Sequence, residues 1–303
     1  MLLTALNMFS ELLIFYLEEK NMNKKFLALV LAVAMAFSLA ACGQREPASS
    51  QGEGEEQQEV LRVGMECNYA PFNWTQAEQS ETAVPIEGGG GYADGYDVQV
   101  AKYIAEQMGR ELVIVKTEWD GLTLAVQSGK VDAIIAGMSP TEERKVSIDF
   151  SDPYYESDLV IVVKKDGPYA DATSLSDFSG AKITGQLNTF HYSVIDQIEG
   201  VDKQQALENF PAMIVALQSG KIDGYVSERP GAVSAAEANP DLTFVEFEEG
   251  QGFEASPEDV AIAVGLEKGS ELVQQINEIL AGLSDEERQQ MMDEAVARQP
   301  VSE

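Results

Sequence analysis

One short pattern occurs twice in this chain and limits its fold more than any other feature. Ala125-Val126-Gln127-Ser128-Gly129-Lys130-Val131-Asp132 returns as Ala216-Leu217-Gln218-Ser219-Gly220-Lys221-Ile222-Asp223. Each copy reads as the end of a helix, a Gly stop, and a Lys-apolar-Asp entry into a strand. The second copy starts 91 residues after the first, too far for a solenoid repeat. The pair therefore implies two α/β lobes with the same local architecture. Neighbouring signals agree. Val60 to Gly64 reads as a strand, and Val98, Ala101, Ile104, Ala105 and Met108 recur at helical spacing before a stop at Gly109. Leu112 to Val115 follows as a strand. Strands alternating with helices predict parallel sheets.

The repeat also predicts where a ligand would sit. Five residues beyond Asp132 lies Gly137, followed by Ser139 and Arg144; five beyond Asp223 lies Glu228. Both places fall past the carboxyl end of a parallel strand, where open α/β sheets bind ligands. One lobe offers a cation and backbone N–H groups, the other a carboxylate. Facing lobes would make a bipolar cleft, which suits a zwitterion. An α-amino acid is the simplest one.

Charge narrows the partners. The 303 residues hold 20 Lys and Arg against 51 Asp and Glu, a net charge of −31. A field of that sign repels phosphate backbones and argues against nucleic-acid binding. Two Cys and one His exclude a disulfide scaffold and a multi-His or Cys-rich metal site. The glycines Gly88 to Gly91 miss the G-x-G-x-x-G spacing of a phosphate cradle, so the polar segment 76–94 is expected to be a flexible flap, and no cofactor is expected.

Apolar runs of near-spanning length occur only near the N-terminus. Met22-Asn23-Lys24-Lys25 is basic, Phe26 to Leu39 is uncharged and apolar, and Leu39-Ala40-Ala41-Cys42-Gly43 follows. This is the layout of a signal peptide, and its end resembles a bacterial lipobox, in which the Cys becomes residue one and carries the lipid. Met1 to Asn21 is expected to be an upstream extension. Residues 1–41 are then leader, 42–59 a Ser/Gly/Glu/Gln-rich disordered tether, and Cys67 the one remaining thiol.

Further motifs stand in order along the body: Leu61-Arg62-Val63-Gly64, Tyr69-Ala70-Pro71-Phe72, Gly95-Tyr96-Asp97-Val98, Trp119-Asp120-Gly121-Leu122, Gly137-Met138-Ser139-Pro140-Thr141-Glu142-Glu143-Arg144 and Asp149-Phe150-Ser151-Asp152-Pro153-Tyr154-Tyr155. Behind a lipobox, this series resembles the bacterial extracellular solute-binding proteins of family 3, the amino-acid receptors of ATP-driven (ABC) importers. The resemblance runs from about Val60 to the C-terminus. It implies an α/β fold of the two-lobed periplasmic-binding-protein type (type II), closing like a hinge. Lobe 1 would span 60–162 and 257–303, and lobe 2 would span 163–256. Leu159 to Val163 and Val260 to Val264 would be the two hinge-crossing strands. Leu272, Ile276, Ile279 and Leu283 should share the buried face of the C-terminal helices. It further implies a monomer on the outer face of the cell membrane, held by lipid on Cys42 and passing its ligand to membrane permease subunits.

Site roles carry over position by position. Arg144 matches the Arg that grips the α-carboxylate, a bidentate task. Ser139, Gly137 and Thr189 match positions that assist with hydroxyl or N–H groups. Glu228 stands where the family usually has an Asp for the α-ammonium. Tyr69 and Trp119 match positions that sandwich the side chain, and Glu66 matches one that is acidic in relatives binding basic amino acids. Gln186 and His191 fall on the lobe 2 loop facing the pocket. These residues favour a basic L-amino acid, arginine before lysine. In the competing reading a polar or aromatic amino acid is recognised by Gln186 and His191. Two other functions compete with this one. A dehydratase of arogenate or prephenate would need Glu228 or His191 as a general acid. A sensor ectodomain would continue into membrane helices, whereas this sequence stops at Glu303.

Overall fold

The computed structural model describes residues 59–300. The leader, the tether and Cys42 lie outside the described residues. Among the described helices none is long and apolar enough to cross a membrane.

Two five-stranded sheets form the body. The first contains β1 (Val60–Met65), β6 (Glu111–Lys116), β7 (Ala133–Ile134), β8 (Ile148–Glu156) and β14 (Ala261–Glu267), in the order β6-β1-β7-β14-β8. The second contains β9 (Leu159–Lys164), β10 (Lys182–Thr184), β11 (Asp202–Lys203), β12 (Gly224–Glu228) and β13 (Leu242–Val245), in the order β11-β10-β12-β9-β13. β1 is parallel to β6 and β7, and β10 is parallel to β11 and β12. Antiparallel strands complete each sheet, β14 and β8 in the first, β9 and β13 in the second.

The sequence repeat becomes one device used twice. Helix Leu122–Gln127 ends before Gly129 (φ 68°), and helix Phe210–Gln218 ends before Gly220 (φ 74°); only glycine takes that left-handed turn without strain. Asp132 then exchanges two bonds with the main chain of Arg62, N to O and N to Oδ2, each 2.8 Å. Asp223 makes the same pair with Lys182, at 2.8 and 2.9 Å. Each aspartate thus docks its strand beside the parallel neighbour, β1 in the first sheet and β10 in the second, and sets the register. The loops that follow β7 and β12 emerge at corresponding places.

The lobe boundary lies earlier than expected. β9 pairs along its length with β12 and β13, so it belongs to the second sheet, and the first crossing falls at Ser157 and Asp158 rather than at residue 162. The return crossing precedes β14, where Val260 closes the short helix Pro257–Val260. Ser157 N donates to Val260 O at 3.1 Å, which ties the two crossings side by side. Few residues make each crossing, as a hinge requires.

Segment 76–94 is not a bare flap. β2 (Asn68–Tyr69), β3 (Asn73–Gln76), β4 (Val84–Pro85) and β5 (Tyr92–Asp94) form a small sheet in the order β2-β3-β5-β4. Asp94 accepts from Thr82 at 2.6 Å, and Glu87 pairs with Arg62 at 2.6 Å. The polarity of the segment served these bonds rather than disorder. At the C-terminus, helix Leu272–Leu280 buries Ile276 and Leu280, while Leu283 is buried beyond the helix end.

Candidate functional site

The residues that face each other between the sheets come from loop ends, and each end is held by its own local bonding. Glu66 and Tyr69 flank the turn after β1. Cys67 in that turn takes φ 56°, and its N–H donates to Asn73 Oδ1 at 2.7 Å. The Asn73 amide donates in turn to Asp97 Oδ2 at 2.7 Å, and Tyr154 OH donates to Asp97 Oδ1 at 2.7 Å. Gly137 N donates to Tyr154 OH at 3.3 Å. The buried Asp97 carboxyl therefore ties the Cys67 turn to the Gly137 loop. Burial raises its pKa to about 6 against the opposing pull of these donors. The Gly137 N–H expected to face a ligand is engaged here by Tyr154. What Gly137 supplies is room: it has φ 63°, and a Cβ there would lie 3.0 Å from Tyr69 Cε1.

Arg144 sits in the single turn Glu142–Lys145, begun by Thr141, whose side chain accepts from Arg144 N. Its guanidinium donates to Ser139 O and to Asn188 O, both at 3.0 Å, and lies 5.1 Å from the Trp119 ring centre. Both acceptors are carbonyls, and no described carboxylate pairs with the group. Desolvation lowers its pKa to about 10, so it stays cationic at neutral pH. Trp119, expected to sandwich a ligand with Tyr69, offers one face to Arg144. Asn188 takes φ 56° and bridges the lobes, since its amide also donates to Asp120 Oδ1 at 2.8 Å.

Glu228 ends β12 and precedes helix Arg229–Ala238. Its carboxyl is 3% exposed, accepts from Tyr69 OH across the cleft, and lies 2.8 Å from His191 Nε2. Burial pushes Glu228 up to about 8. Burial, with Arg144 nearby, pushes His191 down. The neutral forms of both are favoured at neutral pH. His191 Nδ1 is buried and makes no hydrogen bond in the structure.

Glu66, also 3% exposed, accepts from Gln186 Nε2 at 3.1 and 3.3 Å, and burial raises it to about 7. Gln186 Nε2 also donates to Glu208 O at 3.1 Å, and Thr189 OH donates to Gln186 O at 2.6 Å. The structure thus brings the nominated residues into three linked groups: Arg144 with Ser139 and Trp119, Glu228 with Tyr69 and His191, and Glu66 with Gln186 and Thr189. An open cavity of about 790 Å³ lies against Trp119, Arg144, Asn188 and Thr189 at the lobe boundary. Its rim includes Asp120, Glu142, Glu143, Glu258 and Asp259. Sequence reasoning missed Asn188, Phe210 and Asp97. Asp97 stood inside a quoted motif, but a charge in a helix first turn reads as ordinary N-terminal bias.

What this arrangement can do is grip opposite charges from opposite lobes. A carboxylate could meet the Arg144 fork, and an ammonium could meet Glu228. Comparison with known proteins identifies the family. Residues 61–295 match the family model described as bacterial extracellular solute-binding proteins, family 3, and the chain belongs to that family. It is 29% identical to the arginine-binding extracellular protein ArtP of Bacillus subtilis, over 86% of this chain and 93% of that protein. It is 31% identical to a probable histidine-binding protein of Campylobacter jejuni, over 76% of this chain and 84% of that one. A solved structure, an amino-acid ABC transporter substrate-binding protein from Streptococcus pneumoniae bound to L-arginine, superposes with a TM-score of 0.68 at 29% identity. It covers 78% of this chain and 94% of that chain.

Proposed function

We propose that this member of family 3 captures a single L-amino acid between its lobes and hands it to the membrane subunits of an ABC importer. The observation that carries this reading is the bipolar pair, with Arg144 on one lobe and Glu228 on the other, each at a loop following a parallel strand. The ligand's α-carboxylate would replace the Ser139 and Asn188 carbonyls on the guanidinium, a stronger charge-assisted pairing. Its α-ammonium would take the Glu228 carboxyl, with Tyr69 OH and His191 as neighbours. Glu66 lies buried beside Gln186, so the side chain we favour is basic, arginine ahead of lysine. This agrees with the relatives named above. Binding and lobe closure require no covalent chemistry. The chain would be anchored outside the cell by lipid on Cys42 and would act as a monomer.

A thermal-shift screen of the mature protein against the common L-amino acids tests this. A ligand present at 100 times its dissociation constant should stabilise the fold by about 2.7 kcal/mol. No shift with any amino acid would sink the reading. A second reading rests on the same carboxyl, because a buried, protonated Glu228 is also what a dehydratase acting on arogenate or prephenate would use as general acid. Incubation with prephenate separates the two, since the receptor returns it unchanged.

A further inference from the structure

The lobes also meet away from the cleft. Helix Arg229–Ala238 of lobe 2 follows Glu228 directly, and Arg229 N donates to Asp158 O at 2.9 Å, which ties its first turn to the hinge crossing. Helix Asp285–Arg298 of lobe 1 touches this helix, and Gln299 caps its end. Ser234 Oγ donates to Gln299 Oε1, and Gln299 Nε2 donates back to Ser234 O at 3.2 Å. Both residues are buried. Buried amides are costly to leave unpaired, and both ends of this one are spent on a residue of the other lobe.

The joint is polar and local. Beside it lies an open cavity of about 340 Å³, lined by Pro230 and Val233 of the lobe 2 helix and by Met292 and Val296 of the lobe 1 helix. The two helices are therefore not packed along their facing length, and the amide pair holds one end. The joint also stands clear of the ligand. Ser234 comes six residues after Glu228, roughly 9 Å along the helix at about 1.5 Å per residue. The bonds that span the cleft differ in kind. Arg144 to Asn188 O and Tyr69 OH to Glu228 use groups that an amino acid would claim. A ligand competes with those bonds and leaves the Ser234–Gln299 pair intact.

We propose that Gln299 is a positioning residue for capture: it touches no ligand, and through Ser234 it latches lobe 2 against lobe 1 and raises the population of the closed form. The inference rests on the capture reading above and adds a device that sets its affinity scale. A receptor that binds in one conformation has an apparent dissociation constant equal to the intrinsic one divided by the fraction already in that conformation. The latch therefore strengthens binding of each amino acid by the same factor. The order of preference among ligands stays with the cleft residues. A contact that served only to stabilise the fold would move neither the lobe separation nor the affinities.

Small-angle scattering and titration calorimetry on the full mature protein test this, with L-arginine, L-lysine and L-histidine as probes. Wild type, Gln299→Ala, Ser234→Ala and the double variant are compared, and circular dichroism confirms folding. Gln299→Ala should raise the ligand-free radius of gyration. It should weaken every probe that binds by about three- to tenfold, the size of one or two net hydrogen bonds, with the ratios between probes unchanged. The double variant should do no more than the larger single one, because both substitutions remove one joint. A ligand-free radius that Gln299→Ala leaves unchanged overturns the latch. So does an affinity within about twofold of wild type, or a loss confined to one probe, whatever happens to the melting temperature. If Gln299→Ala does not fold, Gln299→Met, which keeps the bulk and removes the amide, stands in for it. Binding of no amino acid removes the capture reading itself, and the ligand-free radius still decides the latch.

Discussion

Ligand capture should release protons, and the number follows from the buried carboxyls. Burial raises Glu228 from the usual 4.5 to about 8, so before binding the group is mostly protonated at pH 7. An α-ammonium demands the carboxylate. Ionising the group first costs about 1.4 kcal/mol at pH 7 and about 2.7 at pH 6, at 1.36 kcal/mol per unit. Affinity should thus rise roughly tenfold per pH unit up to pH 8, with about 0.9 proton released at pH 7. Glu66, raised to about 7, adds about half a proton at that pH if it meets a ligand cation. The other charged neighbours stay constant. Arg144 is lowered only to about 10 and remains cationic, while His191 is pushed down and remains neutral. The sign reverses for the protein alone. A carboxyl whose folded pKa is raised lends stability that is complete below about 4.5 and is lost as pH rises through about 8. The ligand-free melting temperature should therefore fall between pH 5 and pH 8.5 while the shift produced by ligand grows. Calorimetry at pH 6, 7 and 8, in buffers of different ionisation enthalpy, counts the protons. Glu228→Gln should abolish the larger part and Glu66→Gln the smaller. A flat affinity over this range with no buffer-dependent heat would refute the assignment of Glu228 to the ammonium.

Arg144→Ala should weaken the best ligand by about 2–5 kcal/mol, the cost of stranding a desolvated charge; a loss under twofold in calorimetry would remove it from the site. Asn188→Asp places a like charge against Asp120, now 2.8 Å from the Asn188 amide, and should weaken binding at least fivefold. Asn188→Gly keeps the carbonyl and suits φ 56°, so it should change affinity by less than threefold in the same titration. Asp97→Asn breaks the tie between the Cys67 turn and the Gly137 loop and should cost about 1–3 kcal/mol of stability in a urea melt. Cys42→Ala should abolish labelling by a palmitate analogue in cells, and a wild-type chain that takes no label refutes the anchor.

How much of this was legible in the sequence depends on how local each feature is. The repeat around Asp132 and Asp223 was legible because a helix stop, a turn and a strand entry are written in adjacent residues, and both aspartates make the same main-chain bonds. Arg144 and Glu228 were pointed to because both follow the repeat, 12 and 5 residues beyond Asp132 and Asp223, and the structure sets them after β7 and at the end of β12. The strands inside 76–94 were not, because two- and three-residue strands carry no measurable alternation; their order comes from Asp94 and Glu87 reaching distant partners. The boundary at residue 162 failed for a related reason. Leu159 to Val163 is uniformly apolar, and a strand buried on both faces does not say which sheet buries it. The aromatic pair is the clearest case. Tyr69 and Trp119 both stand in motifs and are paired by the family resemblance. Phe210 stood in none, and at the start of an apolar helix it reads as core. Only the three-dimensional arrangement shows that one Trp119 face meets a cation from its own lobe and that the Tyr69 face is occupied by a ring from the other. A contact between lobes leaves no periodic trace in either segment, because each obeys the packing of its own sheet. Specificity in a cleft that closes is therefore the property a single sequence shows least.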